Sequence, residues 1–268
     1  MIIKVDNFDI KQIADSGQCF RINRTVNGKY RAIAYGKCID IKQLDNNTID
    51  VDCSEEDWEI IWKGYFDINY DYDKIVETLK NGNDNFLKQA VEYGSGIRIL
   101  KQEPFETLIS FIISQRKNIP AIKTCVELIC EKYGERKFNG RIYYNTFPTP
   151  ECLASADIND LRELGLGYRD EYVKRAAIDV VKGNINLEEL KQYHYGYAIN
   201  ELMKLYGVGI KVASCVALFG LHHIEAFPID VWIRRIIDDY YNGYFNTKPY
   251  EGYAGIVQQY VYYIINNK

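Results

Sequence analysis

The 268-residue chain carries 33 lysines and arginines against 37 aspartates and glutamates, a net charge of −4, with 47% hydrophobic residues. This composition suits a soluble globular protein with one large or two modest domains, and the acidic balance argues weakly against a nucleic-acid partner. No run approaches the roughly 18 uninterrupted apolar residues of a membrane span, and Met1-Ile-Ile-Lys-Val-Asp lacks a signal-peptide pattern. A cytoplasmic monomer without membrane contact is expected, nucleoid-associated if prokaryotic.

Residues 1–52 read as β. Strand candidates are Ile2–Val5, Gln18–Asn23, Lys29–Tyr35, Cys38–Lys42 and Thr48–Val51, and Asn27-Gly28 is a hairpin signal. Ser54-Glu-Glu-Asp then reads as an N-cap with an acidic first turn before Trp58-Glu-Ile-Ile-Trp62. Tyr70–Asn81 and Asn83–Tyr93 read as short helices bracing the sheet. Phe105–Arg116 and Ile119–Tyr133 show helical apolar periodicity, separated by the polar stretch Ser114-Gln-Arg-Lys-Asn118. Residues 135–150 show little pattern and read as a loop. In Leu161-Arg-Glu-Leu-Gly-Leu-Gly-Tyr168-Arg169 the glycines end one helix, and Tyr168 and Arg169 open the next. Tyr197–Tyr206 follows as a helix. Near the C-terminus Gln258 and Tyr262 stand at i and i+4, so a polar group and a ring project from one helix face.

The strongest chemical signal runs from Leu205 to Arg235. Gly207 and Gly209 flank Val208 in a tight turn. Ile210–Phe219 is almost wholly apolar except Lys211, in its first turn. The positive helix end and apolar neighbours both disfavour an ammonium there, pushing a lysine toward the free amine that a nucleophile needs. Asp230 follows Pro228 and reads as an N-cap. The helix descends about 15 Å and the return loop spans up to about 30 Å, so the chain can bring Asp230 back to Lys211. With cysteines at 19, 38, 53, 125, 130, 152 and 215, no C-x-x-C pair and three histidines, reduced thiols and no metal site are expected.

Leu205-Tyr-Gly-Val-Gly-Ile-Lys211 followed by Phe227-Pro-Ile-Asp230 resembles the signature of the helix-hairpin-helix DNA glycosylases. Ser16-Gly-Gln-Cys-Phe-Arg21, Leu161–Tyr172 and Tyr253–Tyr262 resemble segments of the eukaryotic-type 8-oxoguanine DNA glycosylase/AP lyase branch. The endonuclease III branch carries an iron–sulfur cluster on four cysteines beyond its aspartate, and no cysteine follows Cys215 here. The resemblance implies an α+β fold: an antiparallel sheet domain with bracing helices over residues 1–95 and a larger all-α helix-hairpin-helix body over residues 96–268. It implies excision of 8-oxoguanine from double-stranded DNA, with Lys211 as nucleophile and Asp230 stabilising the sugar. It assigns the base slot to Gly17, whose carbonyl would accept from N7–H of the damaged base, with Cys215, Gln258 and Tyr262.

The same resemblance assigns DNA contacts to Arg116, Asn118, Tyr168, Arg169, Gly207, Val208, Gly209 and Trp232. It implies no cofactor beyond a structural monovalent cation on the carbonyls of Met203, Leu205 and Val208. Arg116 and Ala121 depart from the family's asparagine and arginine, so strict pairing with cytosine is not expected. Trp232 stands where the family has a histidine. Two alternatives stand beside this reading. One is an alkyl-base or other helix-hairpin-helix glycosylase, which generally lacks the lysine. The other is a non-catalytic DNA-binding module.

Overall fold

In the computed structural model, which describes residues 1–267, the N-terminal region is a five-stranded antiparallel sheet of order β1-β5-β4-β3-β2. The strands are β1 (Ile2–Lys4), β2 (Ile22–Arg24), β3 (Tyr30–Ala34), β4 (Lys37–Asp45) and β5 (Thr48–Asp52). The register pairs Ile22 with Ala32, Ala32 with Ile39, and Ile41 with Val51. Residues directly opposite point to the same face, so these apolar side chains gather on one side. There they pack on Phe8, Trp58, Trp62 and Phe66 as a compact core. Asn27-Gly28 turns the chain between β2 and β3, and the Thr25 amide donates to the Lys29 carbonyl at 2.7 Å.

Two features of this sheet region differ from the sequence expectation. Residues 18–21 form no strand, because Ser16–Arg21 makes a largely buried turn. Asp9 caps an additional helix, α1 (Ile10–Asp15), by accepting from the Lys11 and Gln12 amides.

Helices α2 (Asp73–Asn81) and α3 (Asn85–Gly94) do not brace the sheet. Ile75, Val76, Leu79, Leu87, Ala90 and Val91 join the larger helical core. The two cores therefore divide near residue 70 rather than at residue 95, with Ile68 on the smaller core and Tyr70 on the larger. Two residues cross over: Phe20 enters the larger core and Leu100 the smaller.

The helical body comprises α4 (Pro104–Ser114), α5 (Ile119–Tyr133), α6 (Arg169–Val181), α7 (Tyr195–Leu202), α8 (Ile210–Phe219), α9 (Val231–Tyr241) and α10 (Ala254–Asn267), with shorter helical segments and a small hairpin in the longer connections. Helix α8 is buried from Val212 to Phe219 and packs against α4 and α7. Residues 135–150 hold a small hairpin, β6 (Arg136–Phe138) with β7 (Tyr143–Asn145), where the sequence reads as loop. Three-residue strands show too little alternation to read. The Arg136 guanidinium lies 4.4 Å from the Tyr143 ring centroid and helps hold the hairpin. All seven cysteines are free thiols, and no helix among the described residues is long and apolar enough to cross a membrane.

Candidate active site

Helix α7 ends at Leu202, earlier than the expected Tyr206, and Met203–Gly209 forms the turn. The Val208 amide donates to the Leu205 carbonyl at 3.1 Å. Gly207 has φ +82°, and a Cβ there would lie 2.4 Å from the Tyr172 ring, so any other residue here is strained and must displace that ring. Gly209 opens α8 in extended geometry without a side-chain cap. The first-turn amides of α8 are therefore left for an anion, as at other helix starts.

Lys211 sits half-buried in that first turn, its Nζ 5.3 Å from the Phe111 ring centroid. Asp230 caps α9. Its Oδ1 accepts from the Trp232 amide at 3.0 Å and the Ile233 amide at 2.9 Å. Both cap bonds fall on one oxygen, which leaves Oδ2 for other chemistry. No ion pair joins Lys211 to Asp230 among the described residues; the two share a cavity wall instead.

That cavity has an outer part of about 1180 Å³ and an inner part of about 40 Å³. Gly17, Lys211, Asp230 and Tyr262 line both. Cys215 and Gln258 line the inner part. Since a water's share of liquid volume is about 30 Å³, the inner slot is closed to a purine in this state. Burial pushes the Cys215 thiol up, and the neighbouring Lys211 pulls it back only in part. Burial likewise pushes the Tyr262 hydroxyl up, assisted by Asp230 and Cys215. Both groups are neutral at physiological pH and suit an uncharged ring. The Gln258 Nε2 donates to the Pro228 carbonyl at 3.1 Å.

Arg116, Asn118 and Trp232 line the outer cavity with Lys117 and Arg234. This places three cations at the mouth despite the net charge of −4, a local field that suits phosphate. Arg116 adopts φ +52°, an uncommon conformation for a non-glycine residue. Its loop is tied on both sides. Gln115 Nε2 donates to the Gly207 carbonyl at 3.1 Å, and Lys117 Nζ to the Gly165 carbonyl at 2.8 Å. Asn118 caps α5 by accepting from the Ala121 amide at 2.9 Å. Tyr168 is half exposed at the start of α6, with the Arg169 guanidinium 4.3 Å from its ring centroid and the Tyr172 ring against its edge.

Arg169 differs from the expected DNA contact. It is 6% exposed and donates to the carbonyls of Leu166 and Gln115, so its guanidinium braces the α4–α5 loop from inside. Val208 is also buried, so only the turn's backbone can meet a phosphate.

Three residues escaped the sequence reading. Phe111 forms the floor beneath Lys211. Gln18 is fully buried and pegs the Gly17 turn: its Nε2 donates to Ser16 Oγ and the Arg98 carbonyl, each at 2.9 Å, and its Oε1 accepts from the Leu100 amide. Gln259 lines the inner slot beside Gln258. Glutamine is ordinarily a surface residue, so sequence alone carries no signal for burying either one.

Residues 1–108 match the family model for the 8-oxoguanine DNA glycosylase N-terminal domain, and residues 109–250 match that for HhH-GPD superfamily base excision DNA repair proteins. The chain belongs to the HhH-GPD superfamily. The apo structure of Clostridium acetobutylicum 8-oxoguanine glycosylase/lyase is 36% identical with a TM-score of 0.89, covering 98% of this HhH-GPD chain and 95% of that one. The same Clostridium enzyme has been solved with double-stranded DNA containing cytosine opposite 8-oxoguanine; that structure is 35% identical with a TM-score of 0.89 and covers 98% of this chain and 97% of that one. A probable N-glycosylase/DNA lyase of Methanothermobacter thermautotrophicus is 31% identical over 199 residues, 66% of this chain. The N-glycosylase/DNA lyase of Saccharomyces cerevisiae is 41% identical over 154 residues, 53% of this chain. The matched regions span 62% and 41% of those two curated relatives.

Proposed function

We propose that this HhH-GPD protein excises 8-oxoguanine from double-stranded DNA and then nicks the abasic site. The observation that carries the reading is Lys211 on the wall of a cavity that continues into a slot lined by Gly17, Cys215, Gln258 and Tyr262. The lesion is extruded from the duplex into that slot. Support for this substrate comes from the Clostridium enzyme, solved with DNA carrying 8-oxoguanine.

The Lys211 amine attacks C1′ of the deoxyribose. The bond to the base breaks, its electron pair leaves with the base, and the base takes up a proton. Asp230 Oδ2 stabilises the positive charge that develops on the sugar. Ring opening gives a Schiff base on Lys211. Loss of a C2′ proton and cleavage of the C3′–O bond then nick the strand on its 3′ side. This chemistry draws on no metal.

A monovalent cation at the hairpin carbonyls is part of the proposal. The Leu205 carbonyl accepts one turn hydrogen bond and keeps a second lone pair, so the donor set with Met203 and Val208 fits. Such an ion would hold a DNA phosphate, and no reaction step depends on it.

Borohydride trapping on duplexes with one 8-oxoguanine opposite each of the four bases tests the reading. A covalent adduct is expected with the wild-type protein and none with Lys211→Gln. Similar yields across opposite bases are expected from Arg116 and Ala121. No adduct and no base release from the wild-type protein would overturn the assignment.

A further inference from the structure

We propose that Gln259 is a second polar reader of the base slot, which accepts a hydrogen bond from the exocyclic 2-amino group of a bound 2-amino-6-oxopurine. The inference rests on the 8-oxoguanine reading above.

The argument begins at a fixed acceptor. The Pro228 carbonyl has no proton to give, so the Gln258 carboxamide must turn its nitrogen toward it, at 3.1 Å. Gln258 Oε1 then points the other way, where Gln259 Nε2 donates to it at 3.0 Å. Polarity thus passes from Pro228 through Gln258 to Gln259 with no freedom to reverse. The last atom of the relay is Gln259 Oε1. It is buried and has no hydrogen-bond partner, and the residue is only 2% exposed. Gln259 also lines the inner slot. A buried amide oxygen left unpaired is costly, so a ligand that supplies an N–H there gains that cost back.

Counting lone pairs identifies the donor. Gln258 Oε1 has two, and Gln259 takes one. The remaining one accepts a single N–H from the base. The second Nε2 hydrogen of Gln258 meets the 6-oxo group. The Watson–Crick edge of 8-oxoguanine carries two donor groups, N1–H and the 2-amine. N1–H fills the remaining lone pair of Gln258, and the unpartnered Gln259 oxygen is the acceptor left for the amine. N7–H is left to the Gly17 carbonyl.

Single-turnover excision of 8-oxoguanine and of 8-oxohypoxanthine, which lacks only the 2-amino group, tests the idea. The wild-type protein is expected to favour 8-oxoguanine by about tenfold or more, as when a buried acceptor loses its donor. In Gln259→Leu the preference is expected to collapse and 8-oxoguanine excision to slow. Gln259→Met, unbranched like glutamine, covers a folding failure of the leucine variant, and thermal unfolding reports which variants are folded. A folded variant that keeps the wild-type preference would overturn the proposal, because a merely structural role slows both substrates alike. So would a wild-type protein indifferent to the amine. Failure of the wild-type protein on 8-oxoguanine would remove the functional reading itself, before any variant is compared.

Discussion

Tyr262 occupies the space that a side chain at residue 17 would need: a Cβ on Gly17 would lie 3.0 Å from Tyr262 Cε1 and 3.1 Å from its hydroxyl oxygen. The glycine turn and the ring of α10 close the inner slot against each other. A base can enter only when the ring moves. The same contact makes Gly17 doubly constrained, by its φ of +73° and by this neighbour.

Gly17→Ala should therefore weaken both fold and function. The left-handed backbone costs an alanine about 1–2 kcal/mol, and the new methyl presses on the end of a ring that can shift. The expected outcome is a folded protein with a lower unfolding midpoint and slower excision of 8-oxoguanine. Denaturant melts and single-turnover assays measure the two effects separately; unchanged excision would show that the turn does not meet the base.

Tyr262→Phe and Tyr262→Ala divide the ring from its hydroxyl. The phenylalanine variant keeps the stacking face and loses only a hydroxyl that lines the slot, so its excision rate should stay near wild type. Loss of the ring removes stacking of about 1–3 kcal/mol, so the alanine variant should be slower by roughly ten- to a hundredfold. Equal losses in both variants would place the function in the hydroxyl instead.

Much of this site is legible in the sequence because its determinants are local. Two glycines around Val208, an aspartate before an apolar run, and an i, i+4 pair on one helix each declare a turn, a cap or a shared face. What stays hidden is set by distant chain. Arg169 reads as an exposed cation, yet carbonyls of Leu166 and Gln115 bury it. The apolar face of α3 shows that it packs but not on what, and α10, far later in the chain, decides it. Gln259 looks like any helix-surface glutamine until α10 is seen buried against the Pro228 loop.

Gly207→Ala should be more damaging than Gly17→Ala. Its Cβ would fall 2.4 Å from Tyr172 Cδ2, within a residue whose φ is +82°. Overpacking of this kind costs about 1–3 kcal/mol, and the backbone penalty adds to it. Thermal unfolding and duplex binding should both weaken. Pairing it with Tyr172→Ala should restore part of the loss, since the second change removes the clash but leaves the strained backbone. No recovery would assign the whole effect to backbone conformation.

Glu106 on α4 gives the protein a built-in pH dependence. It is 7% exposed, its Oε2 lacks a partner, and burial pushes its carboxyl up to about 8 against the pull of Arg21, with Glu103 and Glu127 adding to the rise. The unfolded chain releases this proton near the ordinary value of 4.5. Between those two values the folded state binds more protons than the unfolded one, so unfolding free energy falls as pH rises through the window. Glu106→Gln stays neutral throughout and escapes that loss. Urea midpoints measured at several pH values from 5 to 9 should show the variant gaining on wild type as pH increases, then levelling above about 8. The opposite trend, with the variant losing ground at high pH, would mean that Glu106 is ionised in the folded protein and paired with the buried Arg21.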